Sequence, residues 1–278
     1  MTAGVPRRII VCADDFGMSE GVNRAILDLM SRRRINAASV MVVGPAFKRE
    51  TAERLQAAAK DHGQIGLHVT LTAPFRPLTM HVRPLQGDAF LPLPKMFRAS
   101  LLRRLDVEIM RAEILAQLTA FADLFGCLPD YLDGHQHVQI FPRIRDAVLD
   151  VIKASAPQAW VRQCGRMPDA RRALNNRKSL ILDILSAGFR ARARQAGVRV
   201  NPAFAGAYDF AHTADFAGLF EGFIDGLPDG GLVMCHPGFV DETLLSLDPV
   251  TTQRERETEF LNSERYLAIL AKQNMALA

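Results

Sequence analysis

Two adjacent carboxylates, Asp14 and Asp15, directly follow the apolar run IIVCA near the start of the chain. Aspartate favours turns because its side chain hydrogen-bonds to nearby backbone groups, so the pair could simply close a strand. Two neighbouring carboxylates repel each other when both are ionised, however, unless a cation lies nearby. The pair is therefore costly in an ordinary turn and favourable beside a bound cation.

Histidines supply the other half of a possible metal site. They occur at three further apolar runs, as His68 in IGLHVTL, His135 and His137 after DYLDG, and His236 in GLVMCH. One histidine at a strand end is usually structural, but three such ends and a fourth with paired acids favour a shared site. A carboxylate with two imidazoles is a common ligand set for a catalytic divalent ion. One aspartate would then be a ligand, and the other would be free to accept a proton from water.

The composition narrows the class of protein. The chain has 278 residues, 49% of them hydrophobic, and a net charge of +4 from 34 basic and 30 acidic side chains. This mild excess does not by itself indicate a nucleic-acid partner. The four cysteines form no CxxC pair, which argues against a disulfide framework or a structural zinc site. Cys12 and Cys235 lie in apolar runs and are predicted to be buried. The remaining histidines, His62, His81 and His212, are predicted to be surface residues.

Strand and helix patterns alternate along the chain. Strands are predicted at 9–13, 38–43, 65–71, 130–135, 159–163, 204–208 and 231–236. Between them lie amphipathic helices, the first with Ser19 as its N-cap and another with Pro142 at its first position. Thr252 with Glu255 predicts a capping box for the last helix.

This alternation predicts an α/β fold with a parallel sheet. About seven units without a break in composition favour a single (β/α) barrel domain over residues 1–278, regular or distorted, rather than a doubly wound sheet. The G-x-G-x-x-G fingerprint of dinucleotide-binding folds is also absent. In a barrel the chemistry lies at the carboxyl ends of the strands, which is where the acids and the histidines fall.

One long segment interrupts the alternation. Residues 73–100 contain five prolines, which predicts a loop insertion without a regular helix. Long loops of this kind are often lids or binding loops, so the segment is a candidate for substrate selection.

The sequence predicts no targeting segment. The first apolar run is interrupted by Asp14 too early for a signal peptide, and no run approaches 18 apolar residues. These features predict a cytoplasmic protein. A homo-oligomer is compatible with the sequence, which leaves the oligomeric state open.

Four motifs together resemble a known family. ADDFGMSEGVN, IGLHVTLT, YLDGHQHV and CHPGF are similar, in order and spacing, to the motifs of the YdjC-like carbohydrate deacetylases. That family includes chito-oligosaccharide deacetylases and hopanoid-biosynthesis-associated deacetylases. The similarity covers residues from about 8 to about 240. It implies a (β/α) barrel and one divalent metal ion, Mg²⁺ or Zn²⁺, held by one aspartate and two histidines.

The resemblance implies a role for each matching residue. Asp15, His68 and His135 would be the metal ligands, Asp14 the general base and His236 the general acid. His137 matches a further family histidine near the site, without an assigned role. The chain departs from the family at Gly134, Gln136 and Gln139, where relatives often have serine or histidine, which puts contacts with substrate in doubt.

The implied reaction is hydrolysis of an N-acetyl group on an amino sugar, either an oligosaccharide or a glycolipid, with release of acetate. Asp14 would take a proton from water, and His236 would protonate the departing amine. Phe16 and Phe239 could form apolar walls for a sugar ring, although packing near a strand end explains them equally well. A membrane surface would be a partner only if the sugar is lipid-linked.

Other functions share some of these features. A phosphoesterase could use the same ligands but should carry further Asp or His for a second metal ion. The DFG at 15–17 lacks every other kinase motif. The arginine clusters 32–34 and 190–194 could bind anionic lipid or nucleic acid, but such clusters are usually solvated faces, and no aromatic platform accompanies them.

Overall fold

Parallel strands form the centre of the molecule. The computed structural model describes residues 5–167, 177–210 and 215–278. Seven of its strands form one sheet in which every neighbouring pair is parallel. In sheet order they are β7 (Trp160–Val161), β6 (Tyr131–Gly134), β3 (Gln64–Val69), β2 (Ala37–Val40), β1 (Arg7–Phe16), β9 (Leu232–Cys235) and β8 (Phe204–Ala205). A short β10 (Met275–Leu277) pairs with the start of β1.

The two edges of this sheet meet, which makes the sheet a barrel. Val161 of β7 forms an isolated parallel bridge with Val200, a few residues before β8. The side chain of Asn201 completes the seam by accepting from the backbone N–H of Gln163 at 2.8 Å and donating to its carbonyl oxygen at 3.2 Å. The predicted barrel of about seven parallel strands is therefore confirmed.

Helices connect the strands and cover the barrel. They are α1 (Glu20–Ser31), α2 (Arg49–Ala59), α3 (Leu93–Leu101), α4 (Val107–Phe125), α5 (Ile144–Ser155), α6 (Arg177–Ala196), α7 (Phe216–Ile224), α8 (Glu242–Leu247), α9 (Thr252–Asn262) and α10 (Glu264–Lys272). Ser19 caps α1 as predicted, accepting from the backbone N–H of Val22. One hydrophobic core contains buried residues from Ile9 to Met275. No helix among the described residues is both long and apolar enough to cross a bilayer.

A bulge near the end of β1 determines where the paired acids point. Successive side chains of a regular strand point to opposite faces, so only one of two adjacent aspartates would face the site. The register with β2 shifts between Ala13 and Phe16, and Asp15 has a φ of 72°. Aspartate tolerates this left-handed conformation better than most residues. The bulge brings both carboxylates to one end of the barrel.

The proline-rich segment contains more regular structure than its sequence predicts. It contains the short hairpin of β4 (Leu85–Gln86) with β5 (Ala89–Phe90), and the prediction that it has no regular helix is wrong for α3. Pro92 is the N-cap of α3 and Pro94 lies in its first turn. Proline is tolerated at both positions because the first helical N–H groups have no partner within the helix.

Two further predictions about helix ends are wrong. Thr252 is the first residue of α9 rather than its N-cap, and Glu255 accepts from the backbone N–H of Val240 instead of closing a capping box. This helix is also not the last, since α10 follows it. Pro142 lies two residues before the first residue of α5.

Candidate active site

Three side chains converge at the carboxyl ends of β1, β3 and β6. Asp15 Oδ1 lies 2.9 Å from His135 Nδ1 and 3.3 Å from His68 Nε2. One ligand-type atom from each residue lies within 4.8 Å of the other two, and all three residues are buried. One carboxylate oxygen and two imidazole nitrogens are ligands that zinc and related divalent ions accept. This donor set therefore fits the metal ion that the sequence predicts.

A second carboxylate holds one of the imidazoles. His68 Nδ1 lies 2.6 Å from Asp133 Oδ1, which leaves Nε2 directed at Asp15. Such a carboxylate–histidine pair fixes the ring orientation and tautomer of a metal-binding histidine. Burial disfavours the charged imidazolium, but Asp133 and Asp14 outweigh it and raise the pKa of His68 to about 10. A metal ion would therefore have to displace a proton from this ring.

Arg254 approaches the same site from α9. Its Nη2 lies 2.6 Å from Asp15 Oδ2 and 2.9 Å from Asp248 Oδ2. Burial opposes ionisation of Asp15, but Arg254 and His135 hold the pKa of its carboxyl group well below the usual range. Because the arginine binds Oδ2, the other oxygen, Oδ1, is the atom that faces both imidazoles.

Asp14 lies beside a different arginine. Arg162, directly after β7, donates from Nη1 to Asp14 Oδ2 and from Nη2 to Asp14 Oδ1, both at 2.7 Å. The same Nη2 lies 2.5 Å from Asp133 Oδ2 and 2.9 Å from Cys12 Sγ. Asp14, Asp133 and Cys12 form the second group of ligand-type atoms in the described part of the chain. The guanidinium of Arg162 already bridges that group.

His236 lies directly after β9, and the buried Glu257 of α9 lies beside it. The backbone N–H of His236 donates to Glu257 Oε2 at 2.5 Å, while the hydroxyl of Tyr208 donates to Glu257 Oε1. Burial, against the pull of Asp15 and Asp14, lowers the pKa of His236 to about 4. Burial also raises the pKa of Glu257 to about 7, although both hydrogen bonds favour its ionised form.

These groups surround one cavity of about 240 Å³. Its lining includes all five residues predicted as ligands or catalytic groups, namely Asp14, Asp15, His68, His135 and His236. Leu93 of the proline-rich segment, Tyr208 and Phe210 add apolar surface. The volume is slightly below the range of roughly 300–1,000 Å³ that is usual for ligand pockets. It therefore suits a small reacting group rather than a long chain.

The three residues predicted to contact substrate have different positions. His137 lines the cavity, with its ring edge-on to Phe204. Phe16 is fully buried in the core, because the bulge that directs both aspartates to the cavity leaves its ring inside. Phe239 lies under the guanidinium of Arg24, 4.5 Å from the ring centre. The structure thus brings His137 to the cavity but neither phenylalanine.

His62, His81 and His212 were predicted to be surface residues rather than parts of the site. His81 is exposed, and His62 is half-buried with its ring nitrogens near the carbonyl oxygens of Lys60 and Met30. His212 lies outside the described residues. Cys12 and Cys235 are buried as predicted.

Sequence reasoning missed Arg162, Arg254 and Asp133 as parts of the site. Arg162 lies near the end of the predicted strand 159–163, so the rule that strand ends carry the chemistry could have found it. Asp133 precedes the predicted ligand His135 by two residues. Arg254 lies 239 residues from Asp15 in a helix, and no local pattern indicates their contact.

Comparison with known proteins gives a consistent result. The family model of the YdjC-like proteins matches residues 8–272. A carbohydrate deacetylase of Geobacillus stearothermophilus is 29% identical over 98% of this chain and 96% of its own length. A carbohydrate deacetylase of Clostridium beijerinckii is 23% identical over 97% of both chains.

A solved structure shares the fold. A protein of Enterococcus faecalis, provisionally described as a cellobiose-phosphate cleavage protein, superposes with a TM-score of 0.76. The superposition covers 98% of this chain and 97% of the other, at 20% sequence identity. At this identity the likeness establishes the fold only.

Proposed function

This chain belongs to the YdjC-like protein family, and on that basis we propose that it is a metal-dependent carbohydrate deacetylase. In the proposed reaction, water hydrolyses the N-acetyl group of an amino sugar, and acetate is released. The observation that carries the proposal is the convergence of Asp15, His68 and His135 in the cavity that Asp14 and His236 also line. The names of the two full-length relatives support the same substrate class.

Asp15 Oδ1, His68 Nε2 and His135 Nδ1 would hold the metal ion. When bound, a divalent ion polarises the acetyl carbonyl and makes water a stronger nucleophile at neutral pH. Two imidazoles favour zinc over magnesium, which prefers oxygen ligands, but both remain candidates. Asp133 contributes by orienting His68, and Arg254 by fixing which oxygen of Asp15 faces the imidazoles.

Asp14 is the proposed general base. Its carboxylate accepts two hydrogen bonds from Arg162, which fix its orientation. An ionised carboxylate has about four acceptor positions. Cys12 Sγ occupies a third with a long contact of 3.7 Å to Oδ1, so about one remains for the water whose proton Asp14 takes. The bidentate contact therefore positions this base without using up its capacity to accept a proton.

His236 is the proposed donor to the leaving amine, because an amide nitrogen leaves only after it is protonated. With a pKa of about 4 its imidazole is neutral at neutral pH. The proton that it donates must therefore arrive during the reaction, and Asp14, which lines the same cavity, is its proposed source. Burial near the carboxylates keeps this proton inside the site.

The proline-rich segment is the proposed selector of the sugar. Leu93 of α3 lines the cavity, and Phe75 packs edge-on against the ligand His135 with ring centres 5.7 Å apart. Substitutions in this segment can therefore reach the substrate without altering a ligand.

A two-metal phosphoesterase is less well supported. Its second ion would need further carboxylates or histidines, and the only other such group in the described ranges is Cys12, Asp14 and Asp133. Arg162 already supplies the positive charge there. The nucleic-acid alternative also loses support, since Arg32 pairs with Asp28 and Arg34 with Glu264.

The test is a substrate screen with defined metals. Purified protein is stripped with a chelator, reloaded separately with Zn²⁺ or Mg²⁺, and incubated with N-acetylated mono- and disaccharides and with a phosphate ester. We expect acetate release from at least one saccharide, dependent on one added metal. Phosphate release without acetate release would reject the proposal.

A further inference from the structure

Exposed apolar side chains are concentrated at the catalytic end of the barrel. Twelve large apolar side chains are exposed among the described residues, and eight of them belong to connections that follow the carboxyl ends of strands. Four lie between β3 and α4, three lie in the first turns of α6 and one lies in α8. The first four are Leu78, Met80, Leu101 and Leu102, and Met80 is 87% exposed. Exposed apolar surface gathered in one region is typical of an interaction site.

The connection between β3 and α4 also carries the charge excess of the whole chain. Residues 73–106 contain six basic and two acidic side chains, so the other 28 basic and 28 acidic side chains cancel. Of the two acids, Asp88 pairs with Arg76 at 2.8 Å, and Asp106 caps α4. Within this connection, the remaining basic side chains therefore have no further acidic side chain to balance their charge.

The fold gathers these basic residues around one groove. Arg83, Lys95, Arg98 and Arg104 line a surface groove of about 600 Å³, and the half-exposed Leu102 lies among them. Helix α3 separates this groove from the catalytic cavity, since Lys95 lines the groove and Leu93 lines the cavity. A ligand of the groove would therefore lie next to the catalytic entrance.

We propose that this basic apolar face (Met80, Arg83, Lys95, Arg98, Leu101, Leu102 and Arg104) docks the protein on an anionic lipid bilayer. The docked orientation would present the catalytic end of the barrel to the membrane, where an N-acetylated sugar carried on a lipid could enter the cavity. The sugar part of this inference rests on the proposed deacetylase function, whereas the docking does not.

The combination of charges and exposed apolar side chains favours a bilayer over simple solvation. A solvated basic face needs no large apolar side chains, but an interfacial segment combines them with Lys and Arg. The apolar groups enter the boundary of the acyl chains while the cations remain among anionic headgroups. Each Lys or Arg near an anionic leaflet strengthens binding by about fivefold, and ions in solution screen this attraction.

Vesicle flotation tests the proposal with the full chain. The probes are vesicles of phosphatidylcholine alone and of phosphatidylcholine mixed with phosphatidylglycerol. We expect binding to the mixed vesicles, weakened by added salt. Arg98→Glu with Arg104→Glu should weaken it by at least about 25-fold, from two contributions of about fivefold each. Leu101→Ser with Leu102→Ser should weaken it by about tenfold through lost apolar burial.

Matched controls lie at the opposite end of the barrel. Lys60, after α2, and Leu128, before β6, are exposed and precede strands rather than follow them. Lys60→Glu and Leu128→Ser should leave vesicle binding unchanged. Equal losses in the controls and in the variants of the face would overturn the proposal. Absence of binding to the mixed vesicles by the parent protein would also overturn it.

Two further measurements separate this inference from its alternatives. Light scattering that shows a dimer broken by the leucine pair, without vesicle binding, would make the face a contact between two copies and reject docking. Acetate release from a soluble saccharide should be unchanged in the Leu101→Ser, Leu102→Ser variant and in the two controls, since these residues lie outside both the cavity and the 73–100 segment. Vesicle binding without acetate release from any saccharide would reject the deacetylase function and leave the docking in place.

Discussion

Two groups of three ligand-type side chains lie side by side in this barrel, yet only one of them is suited to a metal ion. The first group is Asp15, His68 and His135, and the second is Cys12, Asp14 and Asp133. Both are buried, and both come from the carboxyl halves of strands or from the residue directly after one, with β1, β3 and β6 supplying the first group and β1 and β6 the second. The difference is that the guanidinium of Arg162 lies within the second group and contacts all three of its members.

The comparison shows that residue type and proximity do not by themselves define a metal site. A group of buried carboxylates requires positive charge, because desolvated anions are costly. In the second group the chain supplies that charge itself. In the first group Arg254 binds only one oxygen of Asp15 and leaves the other facing two imidazoles. The limited contact of this arginine therefore leaves Asp15 Oδ1 and the two imidazoles as the donor set that would suit a cation.

The largest effect is expected from Asp15→Asn. Asparagine is nearly the same size as aspartate but uncharged, so this variant should lose both its metal ion and its activity. Cys12→Ser is the matched control from the second group and should retain about one ion per chain. Elemental analysis of both preparations distinguishes them. Full metal occupancy in Asp15→Asn would remove this residue from the ligands.

The neighbouring substitution, Asp14→Asn, should separate chemistry from metal binding. Turnover should fall by roughly the 10²–10⁴-fold that is typical of a missing general base, with the metal content unchanged. If both aspartates only closed a turn, asparagine would preserve activity at either position. Turnover and metal content are measured on the same preparation, and near-normal turnover would contradict the proposed base.

The effect of removing the proposed general acid, His236, should depend on the leaving group. His236→Ala should keep its metal ion and should hydrolyse an N-acetyl amide roughly 10²-fold more slowly. An activated acetyl ester needs little protonation of its leaving group, so its hydrolysis should be less affected. Rates on the two substrates provide the measurement. Equal losses would indicate instead that His236 stabilises the developing oxyanion.

Arg162→Met should affect stability first. It leaves Asp14 and Asp133 buried without their counter-charge, and breaking a buried pair in this way costs about 3–5 kcal/mol in the free energy of unfolding. Arg162→Lys restores one charge but not the bidentate contact, and should recover part of the loss. Denaturant unfolding at neutral pH measures both. An unchanged midpoint for Arg162→Met would show that the second group does not need this cation.

The smallest effect concerns Glu257, a buried carboxylate without a cation in hydrogen-bond contact among the described residues. Burial raises its pKa from 4.5 in the unfolded chain to about 7. As the pH rises from about 4.5 to about 7, only the unfolded state ionises, so folding loses stability, by at most about 3 kcal/mol. Glu257→Gln should flatten this slope in unfolding experiments at pH 5 and pH 8. An unchanged slope would assign the pH dependence to other groups.

The success of the sequence analysis follows from the physics of each feature. The strand positions and the convergence of Asp15, His68 and His135 depend on local apolar runs and on the rule that barrel chemistry lies at strand ends. The failures depend on contacts between distant segments. No local pattern indicates that Arg254 would reach Asp15, and the bulge at Asp15 is what leaves Phe16 in the core.

Helix ends were also difficult to predict for a physical reason. Proline excludes a helix interior but not a first turn, so Pro92 and Pro94 are compatible with α3 and conceal it in the sequence. The cytoplasmic location, the oligomeric state and the identity of the sugar depend on surroundings outside the chain. They stay predictions.

The seam of the barrel depends on one amino-acid side chain, that of Asn201. Elsewhere the sheet is held by main-chain hydrogen bonds, which almost any amino acid can make. At the seam, Asn201 replaces a strand residue with its side chain, binding both backbone groups of Gln163 and the carbonyl oxygen of Ala203. A single nucleotide change that replaces this asparagine would therefore leave the seam to the main-chain bridge between Val161 and Val200, and would weaken the closure without altering any strand.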